Sequence, residues 1–148
     1  MWRCVSAFAV LLAVACATAA SAATPTKASW ARSANKLCGG EIRALHAIPT
    51  PSQNDLPGTA AYIRRVISVG SPYHSRIAAL PRPARERAGI ADWVRLDLKV
   101  RADALTAARA FDARDRVAAS EWLAKMLADG HASDVIALRL GATICAQS

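Results

Sequence analysis

The chain has 148 residues and a formal net charge of +8 at pH 7, with 53% hydrophobic and only 5% aromatic residues. Once a leader is set aside, that length suits one domain large enough to bury a real core. The basic excess does not point to nucleic acid, because no aromatic-studded basic motif and no zinc spacing accompany it.

The first 22 residues read as a secretory signal peptide. Arg3 supplies the positive n-region, Val5 to Ala17 the apolar run, and Ala20-Ser21-Ala22 a small-x-small cleavage pattern, so the mature chain is expected to start near Ala23. An apolar run of roughly a dozen residues is too short to span a ~30 Å hydrocarbon core, so no transmembrane helix is expected in the mature form. Ala13-Val14-Ala15-Cys16 also resembles a bacterial lipoprotein box, which makes a membrane lipoprotein anchored at Cys16 the alternative. That pattern prefers Leu where Ala13 stands, and the difference favours release outside the cell. Cys4 and Cys16 fall outside the folded domain, 23–148, on either reading.

Two cysteines remain. In an oxidising compartment Cys38 and Cys145 have one possible pairing, the alternative being two separately buried thiols. A bridge closing a loop of about a hundred residues is worth up to ~4.7 kcal/mol in the chain-entropy picture.

Four helical segments follow one another, at about 27–47, 53–80, 84–110 and 116–140, with no alternating strand pattern between them. The first carries Trp30, Leu37, Ile42 and Leu45 near one stripe. Gly39 and Gly40 beside Cys38 are expected to let another backbone approach for the disulfide. Ile48-Pro49-Thr50-Pro51 stops this helix. The second opens on a Ser52-x-x-Asp55 capping pattern and carries Leu56, Ile63, Val66, Ile67, Tyr73, Ile77 and Leu80 at helical spacing. Pro72 within it predicts a kink. Pro83 suits the first position of the third segment, which carries Ile90, Trp93, Val94, Leu96, Leu98, Val100 and Leu105. Asp115 is placed to cap the fourth, with Val117, Leu123, Met126, Leu127, Ile136 and Leu140 expected inward and Gly141 as a left-handed C-cap. Trp93 reads as a core anchor, whereas Trp30, Trp122 and Phe111 lie where partial exposure is expected. Short connections between helices of similar length predict an all-α, up-down-up-down four-helix bundle stapled by the disulfide.

The Cys in the first helix, the AIPTP break at Ala47 to Pro51, the IADWVRLD stretch from Ile90 to Asp97 and the LRLGATIC ending at Cys145 carry a resemblance. The chain resembles an uncharacterised family of small secreted or lipid-anchored helical proteins of high-GC Gram-positive (actinobacterial) bacteria. The resemblance covers most of the mature chain and implies a fold and a compartment. It implies no activity and no catalytic residue.

Candidate chemistry is sparse. Metal or haem ligation would draw on His46, His74, His131 and Met126, yet no ligand spacing joins them. With Cys38 facing Cys145 on antiparallel helices, His131 falls roughly 9 Å along the axis from His46, at 1.5 Å per residue. His74 is placed near the opposite end. No nucleophile elbow is present, and Ser71-Pro72-Tyr73-His74 lies within a helix. The carboxylate pairs Asp92/Asp97 and Asp112/Asp115 are interleaved with arginines and read as solvated ion pairs. Neither catalysis nor a cofactor is expected. From Leu56 to Arg85 there is no acidic residue, and Arg64, Arg65 and Arg76 there are the candidate contacts to an anionic surface. The expectation is a monomeric, non-catalytic binding or interaction protein, secreted or at the envelope. A carrier of a small apolar ligand within the bundle is the alternative and a small exported enzyme the second. The many alanines argue against a cavity of ~300 Å³ or more.

Overall fold

The computed structural model describes residues 24–52 and 54–147; the leader, with Cys4, Cys16 and its cleavage pattern, lies outside the described residues. The described residues form four α-helices: α1 (Lys27–His46), α2 (Leu56–Ala78), α3 (Arg87–Asp112) and α4 (Arg116–Leu140). Short 3₁₀ turns, Ala84–Glu86 and Cys145–Gln147, precede α3 and follow α4. No strand occurs among the described residues, and none of these helices is long and apolar enough to cross a membrane.

The helix ends follow from local chemistry. Thr26 caps α1 and exchanges hydrogen bonds with Ser29: Ser29 N–H donates to Thr26 Oγ1 at 3.1 Å, and Thr26 N–H donates to Ser29 Oγ at 3.0 Å. The second helix starts later than the Ser52 pattern suggests. Asp55 is itself the N-cap, accepting from Gly58 N–H at 2.8 Å. This start places Pro57 in the first turn, where a missing N–H removes no helical bond. The helix runs on through Gly70, Ser71 and Pro72 to Ala78. Pro83 caps the 3₁₀ turn before α3 instead of occupying its first position. Asp115 caps α4 by accepting from Ala118 N–H at 2.9 Å, and Gly141 ends it in the left-handed region at φ 81°.

Cross-helix pairs show the antiparallel register. Glu41 of α1 meets His74 of α2, and Arg64 and His74 of α2 meet Asp112 and Asp97 of α3. Lys99 and Asp103 of α3 meet Asp129 and Lys125 of α4. The bundle closes through its tail: Cys38 is disulfide-bonded to Cys145 with Cα atoms 5.1 Å apart. Asn35 of α1 donates to the Gly141 carbonyl at 3.1 Å and accepts from Ile144 N–H at 2.9 Å.

The main core lies at the disulfide end, where Trp30, Ala34, Cys38, Ile77, Ile90, Trp93, Ala137, Leu140 and Cys145 pack together. Trp30 and Trp93 meet edge to face with ring centroids 5.9 Å apart. Trp93 is the anchor its spacing suggests. Trp30 is not partly exposed but 2% exposed, because it shares the Ala34/Cys38 stripe of α1 and packs against Trp93.

Two large residues expected inward point to water, Val117 (71% exposed) and Leu127 (67%), and Leu98 of α3 is exposed as well. The reason is small-residue packing. Ala104, Ala107 and Ala108 of α3 and Ala119, Ser133 and Ala137 of α4 take the buried positions. Helix backbones can approach closely over such faces, and the bulky residues fall on the other side. At Gly40 the approaching group is the Tyr73 ring of α2, 3.0 Å from where a Cβ would stand, and not the tail. Gly39 has only ordinary clearance, to Arg43 and Ile144.

Candidate functional site

Between the disulfide-end core and the alanine-lined end lies a charged cluster drawn from three helices. His74 of α2 stands between two carboxylates, with Nε2 2.6 Å from Glu41 Oε1 and Nδ1 2.9 Å from Asp97 Oδ1. Arg101, one turn beyond Asp97, donates to Asp97 Oδ2 at 2.8 Å and to Ser71 Oγ at 3.4 Å. Ser71 in turn donates to the Ile67 carbonyl at 2.7 Å. Glu41 is the most deeply placed member, its side chain 5% exposed, and its Oε2 is buried with no hydrogen-bond partner among the described residues. Gly70 makes room for it: a Cβ there would stand 2.5 Å from Glu41 Oε1. A carboxylate buried this far requires such partners, since an uncompensated charge in the interior costs several kcal/mol.

With a carboxylate oxygen at each ring nitrogen, His74 is held as an imidazolium donating both ways. Burial pulls its pKa down, but the hydrogen bonds to Asp97 and Glu41 and their charges outweigh it, leaving the pKa above the ordinary histidine value. The stability this contributes is fully present below the unfolded-state pKa of about 6.5 and is lost as pH rises through the higher folded-state value. Thermal unfolding followed from pH 6 to pH 9 is therefore expected to show a melting temperature that falls as His74 deprotonates. His74→Gln should flatten that dependence; a variant retaining the full slope would show that the slope arises elsewhere.

The cluster forms one wall of a cleft of about 200 Å³. Its apolar side comes from Leu45, Val66, Ile67, Val100, Ala104 and Met126, so all four helices contribute. A larger groove of about 380 Å³ near Thr26, Trp30 and Pro81 is lined by no charged group among the described residues.

The residues that composition and spacing single out are dispersed over the bundle. His74 is not at the end of the bundle opposite His46 but level with Glu41, and Asp97 is bound to it instead of solvated. Asp92 pairs with Arg95 at 2.9 Å as expected on an exposed turn, while Asp112 pairs across to Arg64. His46 and His131 are exposed, and among the described residues no three His, Cys, Asp or Glu are grouped to hold a metal. Arg65 and Arg76 are exposed on α2 and make no ion pair among the described residues; Arg64 is exposed but engaged by Asp112. On α1, Arg32, Lys36 and Arg43 form a second exposed basic stripe, also without ion pairs among the described residues, which the acid-free composition of the Leu56–Arg85 stretch does not reveal. Their spacing of four and seven residues is the signal the sequence offers.

No protein-family model, curated protein or solved structure matches the chain.

Proposed function

We propose that this is a non-catalytic, exported binding protein of the cell envelope or its exterior, held to an anionic surface by the outer face of α1 and α2. The observation that carries the reading is the segregation of charge. Glu41 and Asp55 are the only acidic residues before Glu86; Glu41 is buried against His74, so Asp55 at the start of α2 is the single exposed acid on this half. Arg32, Lys36, Arg43, Arg65 and Arg76 are exposed and, among the described residues, unpaired on this half. Uncompensated cations attract an anionic surface within about 8 Å at physiological salt, each contributing about 1 kcal/mol near anionic lipid. The occupied ring nitrogens of His74 leave no free base beside a nucleophile, which favours binding over catalysis. The leader motif and the disulfide support export.

The test is co-sedimentation of the mature protein with phosphatidylglycerol vesicles and with isolated cell wall, each at low and physiological salt. Binding is expected at low salt, weakening steeply as salt rises. Changing all five basic residues to Gln should reduce it more than tenfold while the circular-dichroism melt stays within a few degrees, because exposed charges add little to stability. Failure of the wild type to bind either surface at low salt would reduce the basic half to a solvated face.

A further inference from the structure

We propose that the cleft beside Glu41, His74, Asp97 and Arg101 binds a small uncharged apolar molecule carrying one hydroxyl, such as a phenol or a cyclic alcohol. The proposal uses a different surface from the basic face and does not depend on it.

Three observations define the ligand. The first is size. A cleft of about 200 Å³ takes a single ring or a branched chain of similar bulk, since a cavity of about 150 Å³ accommodates benzene. The second is the apolar wall of Val66, Ile67, Val100, Ala104 and Met126, which removes hydrocarbon from water without needing a polar partner for it. The third is the polar wall. Glu41 lines the cleft with one carboxylate oxygen on His74 and the other, Oε2, buried without a partner among the described residues. An unsatisfied buried acceptor is costly, so a molecule that brings a donor to it gains what the free protein lacks. Oε2 is itself covered, and the donor meets it as the side chains lining the cleft part around the incoming molecule.

Charge selects which donor. Glu41 and Asp97 are negative and His74 and Arg101 positive, so the cluster is already balanced. An ammonium would add an uncompensated positive charge to a partly buried site, and a carboxylate would be set against Glu41 and Asp97. A hydroxyl adds no charge. It gives Glu41 a donor, and its lone pairs suit the guanidinium N–H groups of Arg101 not used on Asp97 and Ser71.

The chain supplies its own reporter. Met1 and Met126 are its two methionines, so mature protein labelled at the methionine methyl carries one signal, and that signal lines the cleft. Phenol and cyclohexanol should shift the Met126 methyl resonance saturably. Toluene and methylcyclohexane, which replace the hydroxyl by methyl, should bind at least tenfold more weakly, because a site that hydrogen-bonds a hydroxyl rejects the analogue lacking it. Benzylamine and benzoate should not compete. Glu41→Gln, which removes the charged acceptor but leaves Arg101, should reduce the preference for phenol over toluene. Val66→Phe, which fills the cleft from a half-buried position on α2 and leaves the charged cluster intact, should abolish the phenol shift and decides the matter if Glu41→Gln does not fold. The proposal is overturned if phenol produces no saturable shift, if toluene or benzylamine binds as well, if folded Glu41→Gln keeps the full preference, or if the shift survives Val66→Phe.

Discussion

Removing the Cys38–Cys145 bridge is expected to destabilise the protein by about 2–5 kcal/mol, the usual cost of losing a native disulfide from a small domain. The two residues are 107 apart in sequence, so the bridge restricts nearly all of the unfolded chain. It also acts where the folded chain has few other ties. The tail reaches α1 through the two hydrogen bonds of Asn35 and the packing of Ala142 and Cys145. Urea unfolding of the oxidised wild type against a Cys38→Ala/Cys145→Ala variant measures the difference. A loss under about 1 kcal/mol, or quantitative thiol labelling of the untreated mature protein, would show that the bridge is not what holds this end together.

Trp93→Ala should cost about 3–5 kcal/mol, the range for deleting a buried large aromatic. Trp93 lies at the centre of the disulfide-end core, and the loss includes its edge-to-face contact with Trp30, worth about 0.5–1.5 kcal/mol beyond burial. The nearby alanines have no side-chain length with which to fill the space. A drop in melting temperature of at least about 10 °C is expected for a domain of this size. Trp122, half-buried and lying under the Lys125 ammonium at 4.3 Å, is the control: its loss should cost about 1 kcal/mol. Equal effects at the two tryptophans would contradict the location of the core.

Much of the fold is legible in the chain because it is local. Asp115 and Gly141 mark the ends of α4 by chemistry confined to one turn, and the two cysteines left in the domain permit one pairing. What could not be read is which residues face one another across helices. Glu41 and His74 are 33 positions apart and Asp97 lies further on; each is ordinary alone, and only the antiparallel register brings them together. One signal pointed that way. Glu41 falls three residues after Cys38, on the same stripe, so an inward Cys38 implies an inward carboxylate that must find a cation. Val117 and Leu127 face water, against the inward expectation, for a related reason. Side-chain size suggests what belongs inside, yet where Ala104, Ala107 and Ala119 let backbones approach, small residues are the interior.

The disulfide has a topological consequence. All three connections between helices, at 47–55, 79–86 and 113–115, lie between Cys38 and Cys145. Cleavage of the backbone in any one of them leaves two polypeptides joined by a covalent bond, heavier by a single water. The pieces cannot diffuse apart, so re-docking is a unimolecular event governed by the local concentration the tether imposes. Wherever scissile loops meet proteases, a bundle closed in this way tolerates a nick as a two-chain molecule.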